Sequence, residues 1–247
     1  MSKGDYNTRL RLVEVFMRLD KFLCDALGVT RREATHLLKS KAVTVNDVIQ
    51  KSGSLKVTEE CVVEWQGNEL NVHGPRYIML YKPEGFVCSH EDGSNRTAFE
   101  LLDEIKMDKL HFAGRLDVDT TGLVLMTDDG KWSHRITSPK HKCEKMYRVW
   151  LVEPVEDDYV EKFKEGIQLK SEDGLTLPAH LEVRAEREVL LTIHEGKYHQ
   201  VKRMFAALGN KVEALHRERI GEIEMDESLE LGEYRYLTQE EVDSIWK

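Results

Sequence analysis

Apolar residues near the start of the chain recur with the period of a helix and are followed by Gly28, a residue type that commonly ends helices. Thr30 and Glu33 then form a capping-box pattern, which predicts the beginning of a second helix. Alternating residues at 42–45, and the pair Val62-Val63 within 61–65, predict short strands. The first part of the sequence therefore predicts a small α/β module with two helices.

Short apolar runs replace the helical spacing further along the chain. Turn-forming residues separate these runs, which occupy positions 77–81, 123–127, 147–152 and 189–193. Helical spacing returns at 199–208, where Gly209 follows as a cap. The pattern predicts an α+β fold in which helices flank a mostly antiparallel mixed sheet.

A polar, turn-rich stretch at 66–75 predicts a boundary between two domains. We assign residues 1–16 to an extension that we expect to be poorly ordered, residues 17–73 to a first domain and residues 74–247 to a second. No run approaches the roughly 20 apolar residues of a membrane helix, and the first residues lack the apolar core of a signal peptide. We therefore expect a cytoplasmic protein without a membrane segment.

The net charge of −9 argues, taken alone, against a nucleic-acid partner. The charges are segregated, however. Residues 131–149 carry six Lys or Arg against one acid, and residues 196–220 carry six against two, whereas 153–174 and 221–247 are strongly acidic. A basic face flanked by acidic surfaces can attract a polyanion. Ordinary solvated surfaces would give the same counts, so this alternative stays open.

A further local excess of positive charge lies in the two predicted helices of the first domain. Five basic residues there are candidates for contacts with nucleic-acid phosphates: Arg18, Lys21, Arg31, Arg32 and Lys39. Basic side chains that only decorate exposed helices are the alternative.

The stretch GRLDVDTTGL at 114–123 places a carboxylate, that of Asp117, on a predicted loop directly before a buried strand. A packed strand fixes such a loop while its side chains remain accessible, so Asp117 is our candidate nucleophile. Residues 117–121 also fit the DxDxT pattern of aspartate-nucleophile phosphatases. That motif should follow a hydrophobic strand of a doubly wound sheet, which the neighbouring sequence does not predict. The cysteines and histidines show no metal-ligand spacing.

Two segments, GRLDVDTTGL and EGKYHQVKRM, resemble the pseudouridine synthases of ribosomal RNA, in particular the small-subunit type. The resemblance covers nearly everything after the first sixteen residues, and the first domain is similar to the S4 RNA-binding domain. It implies an isomerase that converts a uridine of 16S rRNA, expected to be uridine 516, into pseudouridine. Because this rearrangement loses no atoms and involves no redox step, we expect neither a cofactor nor a metal.

The resemblance also implies that the substrate is 16S rRNA in a small-subunit assembly intermediate and that the protein acts as a monomer. Two other functions remain open. One is a large-subunit rRNA enzyme of the same family, and the other is a non-catalytic assembly factor that uses only its S4-like module to bind RNA.

Three residues are the expected catalytic groups. Asp117 either attacks ribose C1′ or removes a C2′ proton, and both routes need an ionised carboxylate. Lys202 lies in the first turns of the predicted helix and is the cation that keeps Asp117 ionised. The resemblance makes Tyr147 the tyrosine that stacks on the target base. A buried tyrosine with a satisfied hydroxyl is the alternative for that position.

The remaining candidates are RNA contacts. Arg115 contacts phosphate or fills the gap left by an extruded uridine. Its alternative role is to hold the turn by pairing with Asp119. Arg203 and His199 are also predicted to contact RNA, and the wider family often has arginine at position 199.

Overall fold

The computed structural model describes residues 17–58, 60–70, 74–104 and 107–247. The predicted extension at 1–16 lies outside these residues. The chain divides into two compact units, Met1–Gly74 and Pro75–Lys247. None of the described helices is long and apolar enough to cross a membrane.

The first unit contains the two predicted helices and a set of short strands. The helices are α1 (Leu19–Leu27) and α2 (Arg31–Lys39), and the strands are β1 (Met17–Arg18), β2 (Val43–Val45), β3 (Val48–Ile49), β4 (Lys56–Val57), β5 (Val63–Trp65) and β6 (Asn68–Leu70). Strands β3, β2, β5 and β6 form an antiparallel sheet, while β1 pairs with β4.

The ends of α1 and α2 follow from their capping residues. Gly28 has a φ of 70°, a left-handed conformation that glycine adopts without steric cost, and its N–H donates to the carbonyl of Cys24. The Thr30 hydroxyl accepts from the Glu33 N–H, and the Glu33 carboxylate accepts from the Thr30 N–H at 2.7 Å. The predicted capping box and both predicted helices are therefore confirmed.

The second unit is built on one large, mostly antiparallel sheet. Its elements are β7 (Tyr77–Lys82), β8 (Phe86–Val87), β9 (Arg96–Thr97), β10 (His111–Phe112), β11 (Thr121–Thr127), α3 (Gly130–Thr137), β12 (Lys145–Leu151), α4 (Tyr159–Glu165), β13 (His180–Ala185), β14 (Glu188–Ile193), α5 (Gln200–Ala207), β15 (Val212–Ile220), β16 (Ile223–Glu224), β17 (Tyr234–Tyr236) and α6 (Gln239–Ser244). The sheet order is β13-β14-β12-β15-β11-β7-β17, and β10 and β16 pair with β11 and β15. The α+β prediction is confirmed.

Both faces of strand β11 are buried, which explains why it reads as a continuous apolar run. Val124 and Met126 belong to the core on the face that α4 and α5 cover, whereas Leu123 and Leu125 belong to the core on the face of α3 and α6. Helix α3 begins at Gly130, three residues after the end of β11. The Asp129 carboxylate caps that helix by accepting from the N–H groups of Lys131 and Trp132.

The parallel pair β11–β15 brings Gly122 against Arg217. Gly122 has a φ of 107°, and a Cβ atom there would lie 2.3 Å from the carbonyl oxygen of Arg217. The two strands can therefore approach this closely only because position 122 carries no side chain.

We predict that Gly122→Ala destabilises the second unit by about 3 kcal/mol, because it adds backbone strain to a steric clash. Thermal denaturation should show a midpoint lower by several degrees. Gly130→Ala is the matched control, because no atom lies within 4 Å of its Cβ position and its φ is not positive. Equal midpoints for Gly122→Ala and the wild type would contradict the close approach.

Candidate active site

Asp117 lies on a tight turn that is fixed from both sides. The Asp117 carbonyl accepts from the N–H of Thr120 at 3.1 Å, and the Val118 carbonyl accepts from the N–H of Gly85 at 2.8 Å. Strand β11 begins at Thr121, directly after the turn. The Asp117 side chain is 26% exposed, so its carboxylate is partly shielded but reachable from solvent.

A buried lysine, Lys82, forms a hydrogen bond to the same turn. The Lys82 side chain is fully buried, and its ammonium donates to the carbonyls of Pro83 at 2.9 Å and Thr120 at 2.8 Å. Burial lowers the pKa of Lys82 from its usual value, although Asp119 and Asp117 oppose this effect. Lys82 thus connects the end of β7 to the turn that carries Asp117.

Helix α5 brings two cationic or protonatable groups to the Asp117 carboxylate. The Lys202 ammonium lies 3.2 Å from Oδ2 of Asp117 and 2.5 Å from Oδ1 of Asp119. Nε2 of His199 lies 3.4 Å from Oδ1 of Asp117. His199 directly precedes α5 and has a left-handed φ of 47°. The structure therefore places the predicted nucleophile and its predicted cation in contact.

The pKa shifts around Lys202 show which interaction dominates. Burial lowers the pKa of Lys202, but its hydrogen bonds to Asp119 and Asp117 outweigh this and leave the pKa raised. Burial likewise raises the pKa of Asp119, and the bond to Lys202 outweighs it and leaves the pKa lowered. All of these shifts favour the ion pair at neutral pH.

Tyr147 lies in β12 and is buried, with 7% of its surface exposed. Its hydroxyl accepts a hydrogen bond from Nη1 of Arg217 at 3.3 Å. The same guanidinium donates from Nε to the carbonyl of Leu123 at 2.7 Å and from Nη1 to the carbonyl of Arg115 at 3.4 Å. Arg217 therefore links Tyr147 to the segment that leads into Asp117.

Sequence reasoning did not find Arg217 or Lys82. Both side chains are at most 1% exposed, and Nη2 of Arg217 has no hydrogen-bond partner among the described residues. The only available signal was their position in the strands. Each lies at an inward-facing position, where an apolar residue is usual. Read along the chain, Arg217 simply counts as one more basic residue of the segment 196–220.

Arg115 and Arg203, two of the predicted RNA contacts, differ in whether the protein itself holds their side chains. The Arg115 side chain is exposed, and within the described part of the chain Asp119 pairs with Lys202, not with Arg115. The turn-holding alternative for Arg115 is therefore wrong. The Arg203 guanidinium is tied to a neighbouring loop, because it contacts the Glu172 carboxylate at 2.9 Å and the carbonyl of Lys170 at 2.9 Å. Arg203 thus holds structure at this position, which weakens its prediction as an RNA contact.

The five candidate basic residues of the first unit are all exposed on its surface. Arg18 pairs with Asp20 at 2.6 Å, and Lys21 pairs with Asp25 at 2.7 Å. The other three candidates lie exposed on α2: Arg31, Arg32 and Lys39. Of the five, those on α2 present their charge most directly to a partner.

The phosphatase alternative does not fit the observed fold. Asp117 precedes the buried strand β11 instead of following one, and every pairing of the large sheet except β11–β15 is antiparallel. A doubly wound parallel sheet is therefore excluded. Over the residues that the structure describes, no group of three or more His, Cys, Asp or Glu side chains could hold a metal ion.

Family comparisons agree with this geometry. Residues 76–207 match the family described as RNA pseudouridylate synthase, and residues 17–63 match the S4 domain. The chain therefore belongs to the pseudouridine synthase family, which confirms the predicted enzyme class.

Individual relatives extend the match over almost the whole chain. A protein of Vibrio vulnificus (strain CMCP6) named ribosomal small subunit pseudouridine synthase A is 78% identical over 233 residues, which is 94% of this chain and 100% of the relative. The protein of the same name from Escherichia coli (strain K12) is 56% identical over 230 residues, 93% of this chain and 100% of the relative. A crystal structure of a pseudouridylate synthase is 53% identical with a TM-score of 0.68, and covers 93% of this chain and 99% of that one.

We predict that Lys202→Met raises the pKa of Asp119, because burial then acts on the carboxyl without the nearby ammonium. In the wild type the lowered pKa means that the Lys202–Asp119 interaction stabilises the fold at neutral pH and is lost as the pH falls through that pKa. An NMR titration of the Asp119 carboxyl measures the shift. Pseudouridine formation should fall at least about a hundredfold, because the Asp117 carboxylate, the predicted nucleophile, loses its partner.

Lys202→Arg is the matched control, because it keeps a positive charge at the same place on α5. Its Asp119 pKa should stay below the usual value, and it should retain more activity than Lys202→Met. An Asp119 pKa that does not move in Lys202→Met would contradict the electrostatic role of Lys202.

Proposed function

We propose that the protein converts one uridine of 16S rRNA, uridine 516, into pseudouridine, with Asp117 as the reacting carboxylate. The observation that carries this proposal is the contact of the Asp117 carboxylate with Lys202 at 3.2 Å and with His199 at 3.4 Å, on a turn that leaves it accessible. The small-subunit substrate is supported by the names of relatives that align over their full length with this chain.

The reaction breaks the bond between ribose C1′ and N1 of uracil and forms a bond between C1′ and C5. The proton on C5 is then lost and N1 gains a proton, so the atoms balance without another reactant. Asp117 begins the reaction either by attacking C1′, which gives a glycosyl ester, or by removing the C2′ proton, which gives a glycal. The Lys202 ammonium is already paired with this carboxylate at 3.2 Å before either route begins.

We propose that Tyr147 forms the floor of the uridine site. Its hydroxyl is held by Nη1 of Arg217, and that guanidinium also binds the backbone carbonyl of Arg115, two residues before Asp117. We propose that the target base stacks on the Tyr147 ring and that the hydroxyl assists removal of the C5 proton. Arg217 would act here as a positioning residue.

The target nucleotide must leave its stacked position to reach Asp117. We propose that the exposed Arg115 side chain occupies the space that the extruded uridine leaves, or holds an adjacent phosphate. The S4 unit adds affinity through α2. The substrate is 16S rRNA in a small-subunit assembly intermediate in the cytoplasm, and the protein acts on it as a monomer.

Asp117→Asn tests the proposal most simply. The amide cannot act as nucleophile or base, so pseudouridine formation should fall to background, while RNA affinity and thermal stability stay close to those of the wild type. Pseudouridine in the rRNA is mapped at nucleotide resolution. Asp119→Asn, the same change two residues away, is the control and should retain measurable activity, because Asp119 contacts Lys202 and not the reacting sugar. Normal activity of Asp117→Asn would reject the assignment.

RNA binding by α2 makes a separate prediction. The double variant Arg31→Gln/Arg32→Gln should bind rRNA more weakly, and the slope of log affinity against log salt should become shallower by roughly one to two, because each phosphate contact releases a counterion. The control is Lys162→Gln/Lys164→Gln, which removes two positive charges from the acidic segment around α4. If both double variants show the wild-type slope, α2 does not contact phosphates.

A further inference from the structure

Tyr198 has an exposed aromatic ring next to the reacting carboxylate. It is 75% exposed, more than any other large hydrophobic side chain among the described residues. Its ring stacks on the His199 ring with centroids 3.8 Å apart and an angle of 19° between the planes. Nε2 of that histidine lies 3.4 Å from Asp117. The Tyr198 ring therefore extends the surface of the site beyond His199, away from Asp117.

The backbone that carries Tyr198 is held in place by several contacts. The Tyr198 carbonyl accepts from Nη1 of Arg203 at 3.1 Å. The Lys197 N–H donates to the Gln200 side chain at 2.8 Å, and the Lys197 ammonium pairs with Glu172 at 2.8 Å. Because these contacts and the stack on His199 order the ring before any ligand arrives, little conformational entropy remains to be lost on binding.

One face of the Tyr198 ring is covered by His199, and most of the remaining surface is in solvent. No hydrogen bond joins its hydroxyl to any described residue, so an internal hydrogen bond does not account for the placement of the ring. A planar aromatic group beside a nucleic-acid site fits a planar ligand, and every nucleobase offers such a face. Extrusion of the target uridine removes a stacking partner from each flanking base, which leaves a base face that another planar group can cover.

We infer that the open face of Tyr198 stacks on the base of a nucleotide that flanks the target uridine. This inference rests on the proposed function, because it takes the extruded uridine to lie at Asp117. His199 has two functions in this arrangement: one face of its ring supports Tyr198, and its Nε2 contacts the nucleophile. Tyr198 would thus hold the strand in place while the target nucleotide is turned out.

The test uses the full-length protein and an rRNA fragment in which 2-aminopurine replaces one or the other nucleotide flanking the target uridine. Stacking on tyrosine quenches 2-aminopurine fluorescence, so the wild type should quench one of the two probes on binding. Tyr198→Leu should lose this quenching and raise KM by roughly tenfold, as expected for one base–aromatic stack. Its kcat should change less than about threefold, because the reacting groups are untouched.

Tyr198→Phe and Tyr198→Trp keep a stacking surface and should restore both the quenching and the wild-type KM. A structural role or a hydrogen bond of the hydroxyl would not give this pattern. Tyr236→Leu is the control, because Tyr236 is also exposed, at 52%, but lies on the edge strand β17. It should behave like the wild type in both assays.

Quenching that persists in Tyr198→Leu would overturn the inference, and so would the absence of quenching of either probe by the wild type. A wild type that binds and quenches the fragment but forms no pseudouridine in it would contradict the proposed substrate and leave the stacking surface supported. Normal modification by the wild type, combined with a Tyr198→Leu variant of unchanged KM, would reject the stacking surface alone.

Discussion

The rest of the site depends on the hydrogen bonds that the buried guanidinium of Arg217 donates. It lies where β15, β11 and β12 meet, and its hydrogen bonds reach Leu123, Tyr147 and the carbonyl of Arg115. Because a guanidinium stays protonated, its charge has to be satisfied by acceptors inside the protein. These acceptors lie on segments that are distant in the sequence. Their positions are fixed together, and with them the turn that carries Asp117.

The electrostatics of the site follow from this arrangement. Asp117 and Asp119 are two carboxylates on one turn, and the Lys202 ammonium from α5 binds both. The carboxylates come from the turn directly before a central strand, whereas the ammonium comes from a helix on one face of the sheet. Neither segment alone contains both partners of the ion pair. The sheet brings the partners together because it holds the two segments at hydrogen-bonding distance.

Much of this architecture could be predicted from local sequence signals. Thr30, Glu33 and Gly28 identify helix ends because capping is a local interaction, and the apolar runs locate the sheet strands within a few residues. Which side chains pair with each other could not be predicted in this way, because pairing depends on distances between segments. The sequence permits Asp119 to pair with Arg115 or with Lys202, and only the fold brings Lys202 close. Likewise Arg217 and Lys82 look like surface residues until the strands around them are assembled.

We propose that the side chains around Asp117 rearrange a single uridine of 16S rRNA. Every route to pseudouridine replaces the hydrogen on C5 of uracil, so tritium release from rRNA that carries uridine labelled at C5 follows the reaction itself. We expect the purified protein to release one tritium per RNA molecule, in step with the appearance of pseudouridine. Release that stays at background while the RNA is bound would contradict it.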